Sequence, residues 1–132
     1  MIFNLGSINA DHVYRVVQLP RTGETVAAES YARGLGGKGA NQSIAAARAG
    51  GQVVHIGAVG ADGDWMVADL ADTGVDVRHV RRERGVSGHA VVTVEQSGEN
   101  AILVHGGANR VLRLQDVEVA LAEAGPGDWL LM

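Results

Sequence analysis

Asn9, Asp11, Lys38 and Asn41 are the polar residues whose setting suits them to ligand chemistry. Of the 11 basic residues, ten are arginine and Lys38 is the one lysine. It sits in Gly34-Leu35-Gly36-Gly37-Lys38-Gly39-Ala40-Asn41-Gln42, the densest glycine cluster of a chain with 19 glycines. The Ala-rich run Ser43–Ala49 follows, so the cluster reads as a loop that opens a helix. Backbone N–H groups at a helix start lack intrahelical partners and carry a partial positive charge. Glycines let a ligand approach that backbone without a Cβ in the way. Lys38 adds a cation, and the Asn41 amide offers donors and an acceptor. Such a loop suits a polyhydroxylated ligand about to become anionic. From physics alone, a tight corner between strand and helix accounts for the glycines equally well, and Asp11 could simply cap a turn.

Two familiar phosphate motifs do not fit. Gly34 to Gly39 satisfies G-x-G-x-x-G literally, but Tyr31-Ala32-Arg33 before it is half polar rather than a buried strand. The acidic residue that motif needs about 20 positions on has only Asp62 and Asp64 as candidates. A Walker A loop needs glycine six positions before the lysine and a hydroxyl residue directly after it; Ala32 and Gly39 stand there.

Composition bounds the rest. A chain of 132 residues with 46% hydrophobic residues makes one domain with a core. A net charge of −4 without a basic stripe argues against nucleic acid or anionic membranes as partners. The absence of cysteine removes disulfides, thiolate metal sites and cysteine nucleophiles. No apolar run approaches the roughly 20 residues of a membrane helix, and the N-terminus lacks the pattern of a signal peptide. A cytoplasmic location is the expectation. His12, His55, His79, His89 and His105 lack paired metal-ligand spacing and read as surface or satisfied core residues. Ser7 and Ser43 have no histidine and aspartate at recognisable triad spacing. Trp65 and Trp129 read as core, and Arg81 to Gly85 as a solvated loop.

These residues must be carried by alternating strands and helices. Ile2–Ile8 reads as a buried strand, with Asn9-Ala10-Asp11 just past its carboxyl end, where open parallel sheets bind ligands. Val13–Val17 and Thr25–Arg33 read as half-exposed, antiparallel strands. Val53–Val59 is a buried strand. Asp62 or Asp64 is expected to cap a helix over Trp65–Thr73, which Gly74 ends. Val75–Val80 is a short strand. His89–Glu95 and Asn100–His105 make a hairpin about Gln96–Glu99. Gln115–Ala124 is an amphipathic helix with Val117, Ala120 and Leu121 inward. Trp129–Met132 starts another buried strand.

Three runs then carry a resemblance: Gly6-Ser7-Ile8-Asn9-Ala10-Asp11-His12, Gly23-Glu24-Thr25, and Gly36-Gly37-Lys38-Gly39-Ala40-Asn41-Gln42 with Ala45-Ala46-Ala47-Arg48. Gly98-Glu99-Asn100 and His105-Gly106-Gly107-Ala108-Asn109 extend it. Together they resemble the N-terminal part of the ribokinase family of carbohydrate kinases. The resemblance implies a three-layer α/β/α domain, incomplete here, with a small β-sheet lid drawn from about 13–33 and 86–105. It implies that Asn9 and Asp11 hydrogen-bond sugar hydroxyls and that Gly37, Lys38 and Asn41 line the sugar's other side. Ala90, Val92 and Val104 would pack on its apolar face. ATP and magnesium, with a monovalent cation in many members, would serve the full-length family. The catalytic aspartate and nucleotide pocket of that family have no counterpart among these residues, so this chain is expected to bind neither well and to be inactive alone. The family also implies a homodimer that clasps through the lid sheet.

The expected function is the substrate-binding half of an ATP-dependent kinase acting on the primary hydroxyl of ribose or a similar sugar. The alternative is a non-catalytic sugar-binding or dimerisation module. An apolar strand left at a sheet edge is a template for association. Sedimentation of the chain at high concentration is therefore expected to show an oligomer, and a clean monomer would contradict that.

Overall fold

The computed structural model describes residues 1–132. Eight strands and three α-helices alternate along the chain: β1 (Ile2–Leu5), β2 (Asn9–Val16), β3 (Ser30–Gly36), α1 (Lys38–Arg48), β4 (Val53–Val59), α2 (Asp64–Asp72), β5 (Asp76–Arg82), β6 (Gly88–Glu95), β7 (Asn100–His105), α3 (Leu114–Leu121) and β8 (Trp129–Leu131). A single 3-10 turn, Gly107–Arg110, lies between β7 and α3.

The strands form two sheets. One, of order β5-β4-β1-β8, is parallel throughout. Its centre, β4, is buried along its whole length, as a parallel strand covered on both faces must be. On one face Val53, Val59 and Val80 pack with Ala40 of α1 and Met66, Val67 and Leu70 of α2. On the other, Phe3, Val54 and Ile56 pack with Ala120 of α3. Alternate residues of β4 thus serve opposite layers, giving the expected α/β/α sandwich. Because α1 and α3 lie on opposite faces, the connections diverge beside β1. In open α/β sheets that switch point, past the carboxyl ends, is where ligands bind.

The second sheet, of mixed direction, has the order β3-β2-β6-β7. Its outer pairs are antiparallel and its central pair, β2 with β6, is parallel. Hence Gly34, Asp11, Ala90 and Val104 form one cross-strand row, and paired residues face the same side.

Several boundaries differ from expectation. Asn9, Ala10 and Asp11 do not follow β1 as a loop; the chain turns at Gly6–Ile8 and they open β2. The Thr25–Arg33 strand begins only at Ser30 and runs into the glycine cluster as far as Gly36. Neither Asp62 nor Asp64 caps α2, whose N-cap is Gly63 with no side-chain bond. Instead Asp62 accepts from the Ser87 N–H and hydroxyl, each at 2.8 Å, and Asp64 pairs with Arg82. Arg81 and Arg82 belong to β5 rather than to a loop, because Arg81 is drawn to Asp116 of α3 at 2.8 Å. The last strand is not buried: Trp129 is 74% exposed, since β8 is an edge. Trp129 is therefore not core, while Trp65 is half-buried beneath the Arg33 guanidinium, 4.2 Å from its ring.

One contact seats α1 against the end of β1. Gly6, leaving β1, and Gly39, in the first turn of α1, meet backbone to backbone. A Cβ built on Gly39 would lie 2.5 Å from the Gly6 Cα and 2.6 Å from the Ser7 nitrogen. Backbone cannot step aside as a side chain can. A Gly39→Ala variant is expected to lose about 3 kcal/mol of stability by urea denaturation; a loss under about 1 kcal/mol would mean that the two segments are not in contact.

Candidate functional site

The site forms where β1, β2, α1 and the turn after β7 converge. Gly37 joins β3 to α1 with φ +94°, a left-handed conformation that glycine adopts freely. Its missing Cβ matters as well, since one would lie 2.6 Å from the Ser7 carbonyl. The Ala40 N–H donates to that carbonyl at 3.0 Å. The first turn of α1 is thereby laid along Ser7, with Lys38 and Asn41 beside Asn9 and Asp11.

The outcome is an open cavity of about 520 Å3 lined by Ser7, Asn9, Asp11, Gly37, Lys38, Asn41, Val104, Gly106 and Asn109. Six of the eight residues singled out from sequence share it: Asn9, Asp11, Gly37, Lys38, Asn41 and Val104. Ala90 and Val92 do not line it. Ala90 lies between Asp11 and Val104 in its row but is buried, and Val92 falls one pair further along the mixed sheet, opposite Ile102.

Sequence reading missed Ser7, Gly106 and Asn109. The Asn109 amide accepts from the Ile8 N–H at 3.0 Å and donates to the Asn9 side-chain oxygen at 2.7 Å and to the Ile8 carbonyl at 3.2 Å. It completes the edge of β2 as a neighbouring strand would and fixes how Asn9 faces the cavity. Its signal was present in Gly106-Gly107-Ala108-Asn109, but the partner is a hundred residues away.

Asp11 has no hydrogen bond bearing on its ionisation. Burial raises its pKa, and the neighbouring His12 partly opposes this. The carboxylate is left with empty acceptor sites facing the cavity. Gly36, its neighbour on β3, leaves the room that carboxylate occupies; a Cβ there would overlap the Asp11 side chain. Lys38 makes no ion pair with any carboxylate. Carboxylate, ammonium and amide thus converge from two segments on one small volume. Together they accept from, and donate to, a ligand rich in hydroxyl groups.

Beneath this turn lies a buried polar network. Asn4 donates to the Gly39 carbonyl and to the Ser43 hydroxyl, both at 2.8 Å. Ser43 meets His55 Nδ1 at 2.8 Å. All three residues are fully buried. Ser43 does therefore have a histidine partner, contrary to expectation. The third member is an amide rather than a carboxylate and no substrate reaches the group, so it is no hydrolase triad. Burial pushes the His55 pKa down to about 4, against a smaller upward pull from the Gly6 backbone.

No cluster of three His, Asp or Glu side chains stands close enough to grip a metal ion, and Gly39 occupies the place after Lys38 where a hydroxyl would meet magnesium. No helix is long and apolar enough to cross a membrane.

Comparison with known proteins agrees with this architecture. The model of the pfkB family of carbohydrate kinases matches residues 1–132; the chain belongs to that family. It is 40% identical over 131 residues to the ribokinase of Haemophilus influenzae, covering 97% of this chain and 43% of that protein. It is 34% identical over 119 residues to the deoxyribokinase of Salmonella typhi, covering 88% of this chain and 39% of that one. Among solved structures, ribokinase from Cryptococcus neoformans in complex with ADP superposes with a TM-score of 0.80 at 39% identity, over 86% of this chain and 37% of that one. Arabidopsis thaliana ribokinase complexed with ribose and ATP gives 0.77 at 34% identity, over 89% and 41%. The chain spans about two-fifths of the length of these relatives.

The buried network yields a pH prediction. A histidine whose folded pKa lies below its unfolded value of about 6.5 favours the native state only while neutral. Stability is therefore expected to fall as pH drops from 6.5 to 4, by about 3 kcal/mol, because the unfolded chain takes the proton first. His55→Gln should flatten that fall in denaturation curves. Equal slopes in both proteins would contradict the assignment.

Proposed function

We propose that this chain is the sugar-binding part of a kinase that phosphorylates the primary hydroxyl of ribose or a close relative, with ATP as donor. The observation that carries the reading is the cavity in which Asn9, Asp11, Gly37, Lys38 and Asn41 converge on one small volume. In this reading the Asp11 carboxylate accepts from two sugar hydroxyls, which its lack of intramolecular partners leaves it free to do. Asn9, held by Asn109, orients a third hydroxyl. Asn41 and the amides at the start of α1 face the sugar from the other side, and Lys38 supplies positive charge near the hydroxyl that is to be phosphorylated. Val104 covers the sugar's apolar face, with Ala90 and Val92 on the same face of the mixed sheet, which serves as a lid and as the surface by which two copies pair.

Phosphoryl transfer rests on positioning and charge stabilisation. These residues supply the positioning of the acceptor. ATP and its magnesium ion would bring the phosphoryl group and the charge neutralisation from residues beyond those of this chain. The alternative of a non-catalytic module is not favoured, because ribokinases and deoxyribokinase recur among the relatives.

Calorimetric titration with D-ribose tests the reading. Saturable heat is expected with the chain as given, and its loss in Asp11→Ala. Gly36→Ala should keep the fold, since a flexible carboxylate can give way, yet weaken ribose binding about tenfold or more by displacing Asp11. Affinity should fall on acidification at a pH above the usual carboxylate range, because burial raises the Asp11 pKa and only its ionised form accepts from both hydroxyls. No heat at millimolar ribose, or equal heat from Asp11→Ala, would sink it.

A further inference from the structure

The largest cavity in the molecule, about 740 Å3, lies outside the site just described, between the end of β5 and the turn after β7. Small-molecule sites run from roughly 300 to 1,000 Å3. Its floor is apolar, and two of its side chains, Val86 and Val111, are left about half exposed at 52% and 46%. Its rim is cationic. Arg82 gives only its Nε to Asp64, at 2.7 Å, so its terminal nitrogens are unpaired. Arg84 makes no ion pair at all. The one carboxylate in the wall, Glu83, is already held by Arg81.

Unpaired guanidinium groups above an apolar floor match a particular chemistry. Their planar forks bind carboxylate or phosphate oxygens two at a time, while the valines gain by covering an apolar body. A neutral sugar would find little here that it needs.

The cavity shares a wall with the sugar cradle. Along 104–109, Val104, Gly106 and Asn109 face the cradle, whereas His105, Gly107 and Ala108 face this second cavity. That segment is tied to the cavity floor, since the Ala108 N–H donates to the Val86 carbonyl at 2.9 Å. Asn109, one residue on, holds Asn9. A ligand that shifts Val86 or Ala108 therefore acts on a residue of the cradle.

We propose that this cavity is a second binding site, for a small organic anion with an apolar body, and that its occupant alters sugar affinity through the 104–109 wall. The site stands on its own geometry; only the coupling rests on the sugar-binding reading.

The test uses the isotope-labelled chain, titrated separately with phenyl phosphate and with benzoate. Saturable amide shifts are expected at Gly85, Gly107, Ala108 and Val111, and the probe that binds more tightly tells which anion the site prefers. The double variant R82A/R84A, whose truncated side chains are exposed, should fold normally and lose the shifts. No saturable shift with either probe, or the same shifts in R82A/R84A, would overturn the site. Asp11→Ala should keep them, which separates this outcome from failure of the sugar reading. With the anion at saturation, the ribose affinity is expected to change at least threefold, and ribose to change the anion's affinity by the same factor. Unchanged ribose affinity would overturn the coupling.

Discussion

Two stretches of backbone touching without side chains between them set the geometry of this molecule. Gly6 and Ser7 leave the parallel sheet, Gly37 and Gly39 open α1, and the gap between them has no room for a Cβ on either side. Everything polar in the cradle hangs from that contact. Ser7 accepts from Ala40, which fixes the first turn of the helix. Two residues past Ser7 the chain enters β2 and presents Asn9 and then Asp11. A methyl group at Gly39 would prise Lys38 and Asn41 away from Asp11 without touching any of the three.

The turn is also held from below. Asn4, Ser43 and His55 replace what would be plain hydrocarbon under the start of α1. The pairing is incomplete, since Asn4 Oδ1 and His55 Nε2 are buried without hydrogen-bond partners, and a half-paired buried group costs stability. The Gly39 carbonyl, second in its helix, gains the Asn4 amide as a partner. The network thus ties β1, β4 and α1 at one point and makes the cradle's floor more specific than apolar packing would. Through His55, whose pKa burial lowers, it also couples the stability of the fold to pH.

The glycine cluster and its lone lysine announced a backbone-lined site in the sequence, and the alternating apolar runs announced β4, α2 and the hairpin of β6 and β7. What stayed hidden has physical causes. Gly34 and Gly36 look like loop residues because they carry no side chain with a period. Both pair with β2 all the same, Gly34 opposite Asp11 and Gly36 opposite Asn9, and at Gly36 the Asp11 carboxylate takes the volume a side chain would fill. Asn109 stood in a recognisable run, but its role was hidden because its partners, Ile8 and Asn9, lie at the other end of the chain. Arg81 looked solvated among charged neighbours, but its partner Asp116 comes from α3. Trp129 looked like core by type, yet it lies on an edge strand. In each case the deciding partner is distant in sequence, and local pattern cannot name it.

The account reduces to whether the Gly6–Ser7 segment seats the first turn of α1, and amide hydrogen exchange at Ala40 reads that directly. First-turn amides of a helix ordinarily lack partners and exchange quickly. If Ser7 accepts from Ala40 as described, that amide should exchange nearly as slowly as those of β4. Exchange at the rate of an unpaired helix end would show that the two segments part in solution and that the cradle has no fixed form.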